Sequence, residues 1–301
     1  MKFRFLNVLI TTKMNSYNKL LELINSKKNY LCVGLDTDYN KIPEIFKKNN
    51  NYNISQTIVD YNNTIIENTK DKAISYKINF AFYEELGSRG FDIIEKALDI
   101  IPNNIFTIAD AKRGDIGNTS KSYAKSVFDY FKFDSITISP YMGEDSISPF
   151  LEYEDKITFL LCLTSNKGSN DLQRLNIGKF SQKLNSEMTL YQYVMDKYSD
   201  MFNYQNIGFV VGATHPNEIL ELRKLNDKSV FLIPGIGAQG GDLENTLINN
   251  NKFNKNSPCL INVSRAIIYP EIDNKDCTIK QCSNKIKIKC NDFTDQITNY
   301  F

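Results

Sequence analysis

Residues 104–120 read NIFTIADAKRGDIGNTS, an apolar run that ends in Asp110, Lys112 and Asp115 and then turns polar. The run Asn104–Asp110 is mostly continuous in its apolar character rather than alternating, as in a parallel strand covered on both faces. Helical spacing follows over Lys121–Phe131, so the stretch predicts one strand, a charged turn and one helix. The same unit recurs along the chain. Strand-like runs fall at Leu31–Asp36, Ile74–Asn79, Ser135–Ser139, Ile157–Leu163, Ile207–Gly212, Ser229–Pro234 and Pro258–Ser264, making eight in all. Helical spacing fills Ile54–Thr69, Phe91–Ile100, Met188–Tyr198, Pro216–Leu225 and Leu243–Ile248. Eight βα units between residues 30 and 270 predict an α/β fold, a single (β/α)8 TIM barrel, whose ordinary size is about 250 residues.

No linker divides this series, and the Asn/Lys-rich patches at residues 47–53 and 249–256 read as solvated loops. The organisation expected is an N-terminal extension and leading helix over 1–29, then a barrel domain over 30–301 with a cysteine-bearing segment at 271–291. Within that tail, Glu271–Lys289 reads as an extended connection before a last helix near Asp292–Tyr300. A long insertion after the fifth strand, Ser165 to about Glu187, belongs to the face where barrel loops bind ligands and reads as a mobile lid.

Composition excludes several function classes. The 301 residues are 42% hydrophobic and 24% charged with only 8 Pro and 14 Gly, which suits a soluble globule with a sizeable core. Lys plus Arg number 36 against 35 Asp plus Glu, so no basic field favours nucleic acid or an anionic membrane, and an anionic ligand must be held locally. His215 is the one histidine, which counts against histidine-based zinc sites and leaves a single candidate base for a Ser-His or Cys-His pair. Six cysteines without C-x-x-C spacing fit reduced thiols in a cytoplasmic protein. Met1–Ile10 carries Lys2 and Arg4, but Asn7 interrupts its apolar run and no cleavage site follows. No run approaches the roughly 20 apolar residues of a membrane span. Met14 offers a second start, so residues 1–13 read as a dispensable extension.

The chemistry concentrates at strand ends. Asp110 and Lys112 lie two apart and share a strand face, while Asp115 falls on the turn beyond. A lysine flanked by carboxylates is held as an ammonium and can serve as a proton donor. Lys77 and Asn79 share a face at the end of the second strand, and the first strand ends in GLDTD with Asp36 and Asp38. Barrel strand ends converge on one mouth, so Lys77, Asp110, Lys112 and Asp115 are expected to alternate in sign there. Thr164, Ser165 and Asn166 end the fifth strand and offer hydroxyl and amide groups to a polar planar ring.

After the seventh strand comes PGIGAQGGD, and after the eighth SRAI. Glycine turns with exposed N–H groups and an arginine fork make a phosphate site, which in these barrels usually follows strands seven and eight. Gly235, Gly237, Gln239 and Arg265 are the candidates. GIGAQG also satisfies the dinucleotide pattern G-x-G-x-x-G, but it comes late and only one strand follows, ending in Ser264 and Arg265 rather than an acid.

Taken in order, GLD, YKINFAFYE, DAKRGDIGNTS, LTSN, PGIGAQGGD and NVSRAI resemble the orotidine 5′-monophosphate decarboxylase family over about residues 30–270. The resemblance implies a homodimeric barrel without metal or organic cofactor that converts orotidine 5′-monophosphate to UMP and carbon dioxide, the last step of de novo pyrimidine nucleotide synthesis. It implies Lys112 as proton donor, Asp110 facing the substrate carboxylate, and Lys77 completing the charged array beside the ribose. Asp36 and Asn79 would help hold the nucleotide, and Asp115, Ile116 and Thr119 would reach into the partner subunit's site. Ser165 would read the pyrimidine, Gln239 and Arg265 would grip the phosphate, and Pro234 and Gly235 would line the pocket.

Two positions depart from the family pattern: Lys167 stands in the lid where proline is frequent, and Ser264 precedes Arg265 where glycine is common, which bears on the backbone contact to phosphate. No segment of the sequence reads as a phosphoribosyltransferase. Two rival readings share the motif: a magnesium-dependent sugar-phosphate lyase or aldolase of the same D-x-K-x-x-D barrel group, and a non-catalytic nucleotide-binding barrel.

Overall fold

Eight short runs of aliphatic and β-branched residues pair in parallel: β1 (Leu31–Leu35), β2 (Ser75–Asn79), β3 (Phe106–Arg113), β4 (Ser135–Ile138), β5 (Ile157–Leu163), β6 (Ile207–Val211), β7 (Val230–Pro234) and β8 (Cys259–Val263). Each pairs with the next in sequence and β8 returns to β1, so the sheet closes and has no edge. All eight expected strands are present. The computed structural model describes residues 14–179, 187–255, 257–272 and 277–301. The expectation of a dispensable extension over residues 1–13 and the middle of the expected lid, residues 180–186, lie outside them.

Residues on both faces of the strands are buried, because the interior is filled by side chains and the exterior is covered by the intervening helices. Those helices include Ile54–Thr69, Ser88–Ile100, Leu190–Met201, Pro216–Leu225 and Leu243–Asn250. The helix after β3 begins at Gly117, earlier than the sequence predicts, and widens into a π-helical turn over Lys125–Tyr130. Met188 and Thr189 do not start a helix as expected. They pair with Asn176–Gly178 as a short antiparallel ribbon, and Thr189 then caps the helix through a reciprocal pair with Gln192. Short helices that went unread in the sequence include Glu44–Asn49, Ala81–Glu84, Glu144–Leu151, which contains Pro149, Ser169–Leu172 and Arg265–Ile268.

The tail departs most from expectation. Glu271–Lys289 is not an extended connection, since a 20-residue helix runs over Ile279–Thr298. A capping box between Thr278 and Gln281 starts it, and Cys282, Ile286, Cys290, Thr294 and Ile297 make its buried stripe. Two of the cysteines thus behave as small apolar residues at helical spacing, which explains why a stretch that reads as polar is helical. The helix lies against Ile54–Thr69 and β1, and Phe301 beyond it stacks on Tyr30 with ring centroids 4.5 Å apart.

At the end of the barrel opposite the strand C-termini, beside a cavity of about 1110 Å³ between the leading helix and the entries to β3 and β4, polar contacts tie the elements together. In the leading helix Ser16–Lys27, Ser16 N donates to Asp155 O at 2.8 Å and Lys19 Nζ meets Asp134 Oδ2 at 2.7 Å. Arg223, fully buried, stacks on the Phe231 ring and donates to Ser229 O and Pro258 O, each at 2.8 Å, fixing the entries to β7 and β8.

Candidate active site

At the C-terminal mouth, β1, β2 and β3 deliver four charges in a row, three of them buried or half-buried. Lys77 Nζ lies 2.8 Å from Asp110 Oδ2 and 3.1 Å from Asp36 Oδ1, and Lys112 Nζ lies 2.7 Å from Asp110 Oδ1. The order is therefore Asp36, Lys77, Asp110, Lys112. Asp115, expected to complete the alternation, is half-buried outside this cleft, where its Oδ1 accepts from Ile116 N at 2.8 Å. Asp36 takes the fourth place because β1 and β2 are neighbours, whereas the turn after Arg113 carries Asp115 beyond the rim.

Burial alone would raise the Asp110 carboxyl, but the Lys77 and Lys112 ammoniums overcome it and hold the group well below the usual carboxylate range. Burial likewise opposes the charge on Lys77, and Asp110 and Asp36 more than restore it, leaving the ammonium more firmly protonated than an ordinary lysine. Neighbouring unit charges at about 4 Å interact by roughly 4 kcal/mol at an effective dielectric of 20, enough to fix the row in one arrangement.

Asp110 and Lys112 converge, but not as adjacent outward positions on a regular strand. The β3–β4 register runs Ala109 to Ile136 and then Arg113 to Ile138, so three residues of β3 face the single residue Thr137. Lys112 sits at φ 48°, in the left-handed region, where a non-glycine residue costs about 1–3 kcal/mol. The bulge turns its side chain back over Asp110 while its own side chain stays half-exposed at the mouth.

From this charged floor a cleft of about 380 Å³ extends across the mouth. Asn79 closes one side, and Thr164, Ser165 and Asn166 rise from the end of β5. Pro234, Gly235 and Gln239 follow β7, and Ser264 and Arg265 follow β8. Ser165 Oγ donates to Gln239 Oε1 at 2.7 Å, joining these two sides. Gly235 adopts φ 110°, and a Cβ there would crowd Gln239 Oε1 at 3.2 Å. Ser264 is accommodated by turning its hydroxyl away from the cleft to Gly34 O at 3.1 Å. That fit needs a glycine on β1, since a Cβ at Gly34 would stand 2.7 Å from Ser264 Cβ.

Lys167 is exposed in the loop after β5, whose base is tied by Thr164 N donating to Gln173 Oε1 at 2.8 Å. Ile116 and Thr119 are exposed and, like Asp115, do not line this chain's cleft. His215 does not line it either: burial and the Arg174 guanidinium, 3.0 Å from its Nδ1, hold it below the usual histidine range. Sequence reasoning missed Thr137, Leu161, Val210, Leu232 and Asn262, which also line the cleft. Each sits inside a strand whose run reads simply as buried, and only the barrel registers reveal which positions point inward.

The cleft thus joins a charged floor to hydroxyl, amide and guanidinium groups, and the chain resembles proteins of known activity. Residues 29–275 match the model of the orotidine 5′-phosphate decarboxylase / HUMPS family. The chain is 46% identical over 256 residues to an orotidine 5′-phosphate decarboxylase of Dehalococcoides mccartyi, covering 85% of this chain and 89% of that protein. It is 44% identical over 258 residues to the protein of that name from Phocaeicola vulgatus, covering 84% and 89%. Among solved structures, the OMP decarboxylase of Leishmania donovani superposes with a TM-score of 0.79 at 33% identity, covering 95% of this chain and 99% of that one. The UMP synthase of the same organism superposes with a TM-score of 0.74 at 35% identity, but this chain covers only 57% of it. With the closed barrel, the charged row on its first three strands and these relatives together, the chain belongs to the orotidine 5′-phosphate decarboxylase / HUMPS family.

Proposed function

We propose that the cleft decarboxylates through the Lys112 ammonium. The chain is a carboxy-lyase of pyrimidine nucleotide synthesis that converts orotidine 5′-monophosphate to UMP and carbon dioxide. Breaking the C6–carboxyl bond leaves its electron pair on C6, in the ring plane, where no carbonyl delocalises it well. Asp110, kept ionised by its two lysines, faces the substrate carboxylate and disfavours it, while Lys112 stabilises the pair developing on C6 and then donates its proton there. Lys112 regains a proton from solvent once the site opens.

Lys77 holds Asp110 and reaches the ribose, with Asp36 and Asn79 beside it. Ser165 reads the pyrimidine edge, and Gln239 and Arg265 hold the phosphate, where the backbone of Gly235 and Ser264 and the ring of Pro234 shape the wall. Phosphate binding far from C6 contributes to the barrier by fixing the reacting end. Asp115, Ile116 and Thr119 project from the chain to complete the cleft of a second copy, making a cytoplasmic homodimer with shared sites. The decarboxylase domain spans 30–301, behind an extension and leading helix over 1–29.

The observation that carries this reading is the Lys112–Asp110–Lys77–Asp36 row. It also disfavours the magnesium-dependent aldolase: the carboxylates such an ion would need are spanned by Lys77 Nζ, at 2.8 and 3.1 Å. The loss of orotidine 5′-monophosphate absorbance, followed with a chelator present, tests it. Turnover is expected to persist; its disappearance on chelation would favour the metal-dependent chemistry.

A further inference from the structure

We infer that Thr137 is a positioning residue for the decarboxylation, one that locks Asp110 and the bulged backbone of Lys112 into a single arrangement. The inference rests on the reading above for the roles of those two residues. Thr137 is 1% exposed, in the middle of β4, a run whose other inward and outward positions are isoleucine and serine. A buried hydroxyl must find partners, and this one has two on the same neighbouring strand. Its Oγ1 donates to Asp110 Oδ1 at 2.9 Å and accepts from Lys112 N at 3.1 Å.

The second contact answers a problem created by the bulge. Between Ala109 and Arg113 the β3–β4 ladder is interrupted, and Lys112 at φ 48° turns its N–H out of the regular pattern. The Thr137 hydroxyl receives that N–H in place of a β4 carbonyl. The first contact completes the grip on the carboxylate. Asp110 Oδ1 takes Lys112 Nζ and Thr137 Oγ1, and Oδ2 takes Lys77 Nζ, so neither oxygen can swing aside. A carboxylate meant to oppose another negative charge relieves the repulsion by rotating unless it is held, and a hydroxyl holds it without adding charge to the row. Valine would have the same shape and neither contact.

The test compares Thr137→Val with Thr137→Ser, reading kcat and KM for orotidine 5′-monophosphate and the affinity for UMP, which lacks the reacting carboxylate. Loss of a hydrogen bond to a charged group predicts that valine lowers kcat by about ten- to a hundredfold while UMP affinity stays within about threefold, and that serine restores most of kcat. Full turnover with valine overturns the inference, as does serine failing as badly as valine or UMP affinity falling in step with kcat. If the valine variant does not fold, Thr137→Ala, which leaves room for a water, takes its place under the same criteria. Wild-type turnover is measured alongside: its absence would sink the decarboxylase reading itself, whereas normal wild-type rates with an unaffected valine variant would sink only the role of Thr137.

Discussion

Ser165 Oγ stands 2.7 Å from Gln239 Oε1, so the group proposed to read the pyrimidine and the group proposed to hold the phosphate touch each other. Residues in contact do not act independently. In a double-mutant cycle on kcat/KM with Ser165→Ala and Gln239→Ala, the joint loss should differ from the sum of single losses by about 0.5–3 kcal/mol. Strict additivity would mean that the contact plays no part in the bound state.

The exposure of Ile116 and the position of Asp115 outside its own cleft lead to a prediction about subunits. Lys112→Ala and Asp115→Ala should each lose turnover by more than about 10²-fold, as expected for removing a charged group from the reacting centre. Mixed and allowed to exchange, the two inactive chains should regain activity, since a heterodimer contains one cleft with both residues intact. Confirmed exchange without recovery would favour a site built within one chain, with Asp115 serving its own cleft.

The charged row also sets a pH window for stability. Asp110 titrates below its unfolded value of about 3.9, so its contribution is full above that pH and is lost on acidification. Lys77 titrates above its unfolded value of about 10.4, so its contribution is full below that pH and is lost as the medium becomes more alkaline. Thermal unfolding of wild type and Asp110→Asn across pH should show a stability gap that is level between about pH 5 and 9 and narrows below about pH 4. A gap independent of pH down to about 2.5 would contradict the depressed carboxyl.

UMP stabilises the folded chain by mass action, about 2.7 kcal/mol at a hundredfold excess over Kd, which for a chain of this length raises Tm by roughly 4 °C. Arg265→Ala should weaken UMP by about ten- to a hundredfold, so that the same concentration gives only about half to a sixth of the shift. An undiminished shift would remove Arg265 from the phosphate site.

How much of this was legible in the sequence depends on what each feature rests on. The barrel was readable because eight apolar runs separated by helical spacing follow local periodicity. The meeting of Asp36, Lys77, Asp110 and Lys112 was partly readable, since barrel strands end at one mouth. The identity of the fourth charge was not, because the sequence does not show that the turn after Arg113 carries Asp115 away while β1 brings Asp36 to Lys77. Nor was the route by which Lys112 meets Asp110: the period of two gave the right neighbours, but through a bulge and a left-handed residue that depend on β4. Thr137 was invisible inside SITIS for the same reason. The helix Ile279–Thr298 was hidden because Cys282, Cys290 and Thr294 carry much of its buried stripe, so the stretch reads as polar.

The closure of the ring has a consequence for how the molecule is made. β1 has β8 for a neighbour, with contacts such as Cys32 to Asn262 spanning 230 residues, and the helix Ile279–Thr298 then covers β1 from outside. During translation the first strand therefore emerges long before its partner, and the growing sheet carries two raw margins until β8 has left the ribosome. Late sealing of the barrel follows from that topology, and a chain cut before residue 279, which lacks the helix over β1, should collect as aggregate rather than as a smaller enzyme.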